Sequence, residues 1–221
     1  MPIRKRGIII AIDGPTASGK STTAERVADR LCYLHINTGA MYRAFALLAK
    51  KSGVKKSEAD KIRELLASAD ITFNAAGKIS LNGEDVSSKV SAPDIALLAS
   101  ELSTLPEVRE KLVASQRELG RDGGVVLEGR DIGTVVFPDA ELKIFLIADQ
   151  EIRAKRRQLE LAASGRTLSL EEVKAQLAER DRRDLEREIS PLRKAPDAIE
   201  VDTSALSMKE QVDRIVSLAR P

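Results

Sequence analysis

Tryptophan is absent from the 221 residues, aromatic side chains make up 3%, and there is one cysteine and one histidine. A single Cys32 cannot close an intramolecular disulfide, so no disulfide framework replaces a core, and the chain suits a reducing compartment. Cys32 falls on the apolar face of the first predicted helix, which reads as a packed thiol without a catalytic role. One His and one Cys make neither a metal cluster nor a nucleophilic constellation. No apolar run approaches the roughly 20 residues of a transmembrane helix. The charge is nearly balanced, 36 basic against 34 acidic residues for a formal +2, so no global field points to nucleic acid or a membrane. A cytoplasmic monomer acting on small molecules is the expectation. The N-terminal Arg4-Lys5-Arg6 followed by an apolar run superficially looks like a signal peptide, but that run is too short and leads directly into the motif described next.

What the chain does have is a core-forming 43% of hydrophobic residues, enough for one large domain or one domain with an insertion. Ile8 to Ile12 is a β-branched strand candidate that ends in Gly14-Pro15-Thr16-Ala17-Ser18-Gly19-Lys20-Ser21-Thr22, the pattern G-x-x-x-x-G-K-S, and a helical pattern follows. Strand, glycine-rich loop and helix in that order make a concave anion site from inward-pointing backbone N–H groups and the helix N-terminus. In such a loop Lys20 spans the β- and γ-phosphates of a nucleoside triphosphate, and the Ser21 hydroxyl takes a position on Mg²⁺. Asp13, Glu128 and Asp131 are open alternatives for the rest of the metal shell.

Further strand candidates are Tyr33 to Ile36, Gly123 to Leu127, Leu142 to Ile147 and Ala198 to Val201, alternating with helices; this predicts a parallel five-stranded α/β sheet covered on both faces. Between residues 69 and 90 the character changes to three short strands separated by Asn74-Ala75-Ala76-Gly77 and Asn82-Gly83, an inserted antiparallel sheet. Before the last strand comes an arginine-rich segment with Arg153, Arg156, Arg157, Arg166, Arg180, Arg182, Arg183, Arg187 and Arg193. It reads either as a solvated helix pair laced by ion pairs such as Glu179 with Arg183, or as a helical lid that neutralises charge during phosphoryl transfer.

Several motifs in one order extend this reading: Ile12-Asp13-Gly14-Pro15, Asn37-Thr38-Gly39-Ala40-Met41-Tyr42-Arg43, Pro106-Glu107-Val108-Arg109, Glu128-Gly129-Arg130-Asp131-Ile132-Gly133-Thr134-Val135-Val136-Phe137-Pro138, and Arg180-Asp181-x-x-Asp184-x-x-Arg187. Through them the chain resembles, over essentially its whole length, the bacterial cytidylate kinases of the nucleoside-monophosphate kinase group of P-loop proteins. The resemblance implies a P-loop core over 1–36, 106–150 and 190–221, a monophosphate-binding domain over 37–105 carrying the small sheet, and a lid with its following helix over 151–189. It implies transfer of the γ-phosphoryl group of ATP to CMP or dCMP with Mg²⁺. Residue by residue, it implies Thr38 and Arg43 beside the acceptor nucleotide, with Arg43 and Arg130 on its phosphate. Ser100, Arg180 and Asp184 would hold the sugar, and Arg109, Asp131 and Arg187 would read the base. Arg153 and Arg157 would act from the lid on the transferring group. Thr38 stands where relatives can carry Ser, and Ser21 where they can carry Gly.

A nucleotide-driven switch of the GTPase kind would carry an Asn-Lys-x-Asp element. Here Asn37, Asn74 and Asn82 are followed by Thr, Ala and Gly. A P-loop kinase for another small acceptor is a further reading that the arginines permit.

Overall fold

The computed structural model describes residues 7–74, 76–163 and 165–219; residues 1–6, on which the signal-peptide comparison falls, and Ala75 of the predicted turn lie outside them. The chain opens with β1 (Ile9–Asp13), all of it buried. Its side chains alternate between two cores. Ile9 and Ala11 join one, with residues of the helices and strands that follow on that face; Ile10 and Ile12 join the other. A strand buried on both faces explains a continuous apolar run rather than an alternating one.

After the phosphate-loop motif come α1 (Lys20–Leu31), β2 (Leu34–Asn37), α2 (Thr38–Lys51) and α3 (Ala59–Ser68). The Asn37 side chain caps α2, accepting from the Ala40 N–H at 2.9 Å. Three short strands, β3 (Ile71–Phe73), β4 (Ile79–Leu81) and β5 (Glu84–Asp85), pair antiparallel in sequence order. Asn82 at φ 50° and Gly83 at φ 80° form the tight turn that this dipeptide predicts. Ile71, Ile79 and Leu81 pack into the same core as α2, which fixes the insertion on one side of the molecule.

Two helices that begin at proline follow, α4 (Pro93–Leu102) and α5 (Pro106–Gly120), then β6 (Val125–Gly129), a single π-type turn over Ile132–Val136, and β7 (Leu142–Ile147). The arginine-rich pair α6 (Gln150–Ala163) and α7 (Leu170–Glu186) precedes β8 (Ile199–Asp202) and α8 (Met208–Ala219). α7 starts with a full capping box between Ser169 and Glu172. Ala154, Leu161, Val173 and Leu177 give α6 and α7 a small core of their own, against which Ala17 of the glycine-rich loop packs.

The main sheet is parallel throughout, in the order β2-β6-β1-β7-β8. The chain runs from β1 to one side, then crosses to the other. The carboxyl ends of β1 and β6, paired Asp13 to Gly129, therefore open at the switch point where such sheets bind ligands.

Two expectations are corrected. Cys32 is exposed. α1 ends at Leu31 and Cys32 adopts φ 56° at the cap, so the backbone leaves the helix before the thiol can reach the apolar face. The strand placed at Gly123 to Leu127 begins at Val125, because Gly123 and Gly124 turn at φ 69° and 66° and register pairs Val125 with Ile9.

Candidate active site

The loop after β1 is shaped by its glycines. A Cβ on Gly14 would stand 2.1 Å from the Leu146 carbonyl oxygen, so no other residue fits beneath the sheet there. Gly19, at φ 93°, takes the N-cap position of α1 and delivers Lys20 as its first residue. Lys20 is buried, with Nζ folded back across the loop to the Pro15 carbonyl at 2.5 Å and Ser18 Oγ at 3.3 Å. Burial, and then the neighbouring Arg130, push its ammonium well below the ordinary lysine value. A bound anion would reverse that shift.

Ser21 follows on the same turn and donates to Glu128 Oε2 at 2.9 Å. The other Glu128 oxygen accepts no hydrogen bond, although it is buried and lies 3.7 Å from His35 Nε2, which is also without a partner. Burial works to raise the Glu128 carboxyl, but His35, Lys20 and Ser21 together hold it below its usual value. Of the three carboxylates left open for the metal shell, only Glu128 combines a bond to Ser21 with a second oxygen that accepts no hydrogen bond. Asp13 is committed: it accepts from the Ile132 N–H at 2.9 Å and the Gly133 N–H at 2.8 Å, and burial nevertheless raises it to about 6. Asp131 is committed to arginines. Among the described residues no group of three His, Cys, Asp or Glu side chains could hold a metal by itself. Mg²⁺, which favours one or two carboxylates plus phosphate oxygens and water, fits the orphaned Glu128 oxygen and the Ser21 hydroxyl.

From this point a cleft of about 240 Å³ runs between the loop, α2, α4 and α7. Thr16, Ala17, Gly19, Lys20, Ser21 and Thr22 line it from the loop, and Thr38, Arg43, Ser100, Arg109, Arg130, Asp131, Arg157, Arg180, Asp184 and Arg187 complete it. Gly14, Pro15, Ser18 and Arg153 are not among its lining residues. Thr38 is buried, its hydroxyl donating to the Glu128 carbonyl at 2.7 Å; a Cβ on Gly129 would come within 2.8 Å of that hydroxyl.

The arginines divide into two groups. Arg130 is engaged, with Nε on Asp184 at 2.7 Å and Nη2 on Thr16 Oγ1 at 3.0 Å. Arg157 pairs with Glu160 at 3.0 Å on its own helix. Arg43 and Arg180, half-buried in the cleft, make no hydrogen bond or ion pair with any described residue. Burial lowers both, and Arg130 adds to it; Arg180 is brought down to about 10. Meanwhile α7 carries ion pairs along its own length, the anticipated Arg183 with Glu179 at 3.5 Å, where Arg183 is half-buried, and the exposed Arg182 with Glu186 at 2.9 Å.

At the far end of the cleft Asp131 bonds Arg109, both side chains under a tenth exposed, and Arg187 Nη2 lies 3.6 Å from the other Asp131 oxygen. Arg109 sits over the Tyr42 ring, 5.6 Å from its centroid. Arg109 Nε, Arg187 Nη2, Tyr42 Oη and Gln116 Nε2 are buried there without hydrogen-bond partners. Such a set of unpaired polar atoms is costly unless a polar ligand completes it. Ser100 accepts from Arg183 Nη1 at 3.3 Å. The sequence assigns no site role to His35 or Gln116, nor to Asp181, which stands only as a member of the Arg180-to-Arg187 motif. A buried Gln on the apolar face of α5 was the available signal for the second.

A family model described as cytidylate kinase matches residues 10–221. The cytidylate kinase of Geobacter sulfurreducens is 47% identical over 219 residues, covering 98% of this chain and 94% of that protein. That of Geobacillus kaustophilus is 49% identical over 217 residues, covering 97% of each. A bifunctional pantoate ligase/cytidylate kinase from a Synechococcus strain is 49% identical over 225 residues; these are 99% of this chain and 42% of that longer protein.

Proposed function

This chain belongs to the cytidylate kinase family, and from that premise we propose that it transfers the γ-phosphoryl group of ATP to CMP or dCMP, giving ADP and CDP or dCDP. The observation that carries the reading is the pair of half-buried arginines, Arg43 and Arg180, which face the cleft beside Lys20 with no counter-ion among the described residues. Cations left unpaired in a partly dry site cost stability, and anionic ligands remove that cost.

The triphosphate lies in the loop 14–22, with Lys20 bridging its β- and γ-phosphates. Arg43 and Arg130 hold the acceptor phosphate in line with it. Ser21 and Glu128 would hold Mg²⁺, which would supply neutralisation of the triphosphate's negative charge. Ser100, Arg180 and Asp184 grip the sugar. Cytosine offers N3 and O2 as acceptors and its amino group as a donor, which matches arginine donors from Arg109 and Arg187 and the acceptor Asp131. Arg153 and Arg157 act from α6. An open cleft of about 470 Å³ between α4 and the helices α6 and α7 leaves room for the lid 151–189 to close on the monophosphate domain 37–105. Because the chemistry of phosphoryl transfer is mainly positioning and charge neutralisation, these roles account for catalysis without a covalent intermediate. We take the working form to be a cytoplasmic monomer; among the described residues no helix is long and apolar enough to cross a membrane.

A coupled assay of ADP formation across CMP, dCMP, UMP, dTMP, AMP and shikimate tests the reading. CMP and dCMP should be the preferred acceptors. Preference for any of the others would overturn it.

A further inference from the structure

Thr16 is buried in the glycine-rich loop, and each of its three polar groups is taken by a different side chain. Its N–H donates to Asp181 Oδ1 at 3.2 Å, its carbonyl accepts from Arg153 Nη1 at 3.1 Å, and its hydroxyl accepts from Arg130 Nη2 at 3.0 Å. Two of the three are bound to each other, Arg153 Nη1 to Asp181 Oδ2 at 2.5 Å, with side chains only 11% and 14% exposed. The third, Arg130, is held by Asp184, one turn further along α7 than Asp181. One face of α7 thus presents two carboxylates three residues apart, and each carries an arginine onto the same loop residue.

We propose that Asp181 is a positioning residue for phosphoryl transfer: it fixes Arg153 on the loop and joins the Thr16 peptide to helix α7. The proposal rests on the kinase reading above. Its physical basis is the contrast between Arg153 and the unpaired Arg43 and Arg180. Those two guanidiniums have no anionic partner among the described residues and would take one from a ligand. Arg153 has its anion already, does not line the cleft, and uses the same Nη1 to donate to the loop carbonyl, while its buried Nε has no hydrogen-bond partner. A neutral side chain at 181 could accept from the Thr16 N–H but could not neutralise Arg153. The carboxylate does both, so the lid helix and the first half of the phosphate loop move as one unit. Arg153 then acts by holding the loop's shape, and the triphosphate meets a preorganised cradle.

The test is a double-mutant cycle of Asp181→Ala and Arg153→Ala, read as kcat and as KM for CMP, with Asp181→Asn as the conservative variant. Asp181→Ala should lower kcat by about tenfold or more, given the coupling of residues in one buried ion-pair network, and change KM for CMP less than about threefold. Added to Arg153→Ala it should cost almost nothing further. Asp181→Asn, which keeps an acceptor for the Thr16 N–H, should recover part of the loss. Multiplying effects of the two alanine variants, an unchanged kcat, or a loss confined to KM for CMP would overturn the proposal. Hydrogen exchange at the Thr16 amide separates this from the kinase reading, because it needs no turnover. Exchange should quicken in Asp181→Ala even if no acceptor is phosphorylated, and unchanged exchange would overturn the clamp itself.

Discussion

Replacing Asp131 by asparagine removes one charge from the end of the cleft and leaves its volume almost unchanged. The wild-type carboxylate faces two buried guanidiniums, bonded to Arg109 and 3.6 Å from Arg187. Asparagine retains one acceptor and gains a donor. Hydrogen bonds to charged groups contribute about 1.5–3 kcal/mol each. At about 1.4 kcal/mol per decade, kcat/KM for CMP should fall roughly tenfold to 150-fold. UMP should respond differently. Uracil places an acceptor, O4, where cytosine places its amino group; a carboxylate repels it, whereas an amide can turn its N–H₂ toward it. The CMP-to-UMP ratio of kcat/KM should therefore narrow by about tenfold or more, since discrimination of this kind comes from polar groups left unpaired. The assay is steady-state ADP release with each acceptor for both proteins, with urea unfolding as a check that the variant is folded. An equal loss for CMP and UMP would refute the base-reading role, leaving Asp131 as a support for Arg109 alone.

Lys20→Ala should abolish transfer while the fold survives, since the ammonium is buried against the loop and its charge is needed where negative charge moves; near-native turnover in a folded variant would refute this. Arg43→Gln and Arg180→Gln should raise KM for CMP yet leave the ligand-free melting temperature unchanged or higher, because each removes a half-buried cation with no counter-ion among the described residues; calorimetric melting of the two variants without nucleotide checks it. Asp13 supplies a pH signature. Its carboxyl is raised to about 6 in the folded chain from 3.8, so the folded state binds this proton more tightly than the unfolded one. Its contribution to stability is therefore present below about pH 4 and lost as pH rises through about 6, an effect of order 3 kcal/mol. Relative to Asp13→Asn, wild-type unfolding free energy should decline between those values, and parallel urea-derived curves for the two proteins would contradict it.

What could be read from the sequence was what is decided locally. The β-branched run of β1, the glycine-rich loop, the Asn82-Gly83 turn and the proline starts of α4 and α5 each depend on neighbours within a few residues, and all stand where expected. Strand limits were less legible because pairing decides them: β6 starts where Val125 meets Ile9, after two glycines have turned. The π-type turn at Ile132–Val136 could not be foreseen, since its first N–H groups are held by Asp13, 119 and 120 residues earlier. Thr16 and Asp181 are 165 residues apart, and no local pattern announces their contact. The same distinction runs through the arginines. Their number was visible in the chain, but which are paired and which have no partner among the described residues follows from tertiary structure. Cys32 shows the converse error, a helix continued by periodicity one residue past the point where the backbone turns out.

Following the phosphorus itself tests the central claim most directly. With ATP, Mg²⁺ and CMP, ³¹P NMR should show the γ-phosphate resonance of ATP replaced by the β-phosphate of CDP, with ADP and CDP appearing in equal amounts and little inorganic phosphate. Release of inorganic phosphate with CMP left intact would contradict the account, because the cleft would then serve nucleotide hydrolysis rather than transfer to a cytidine monophosphate.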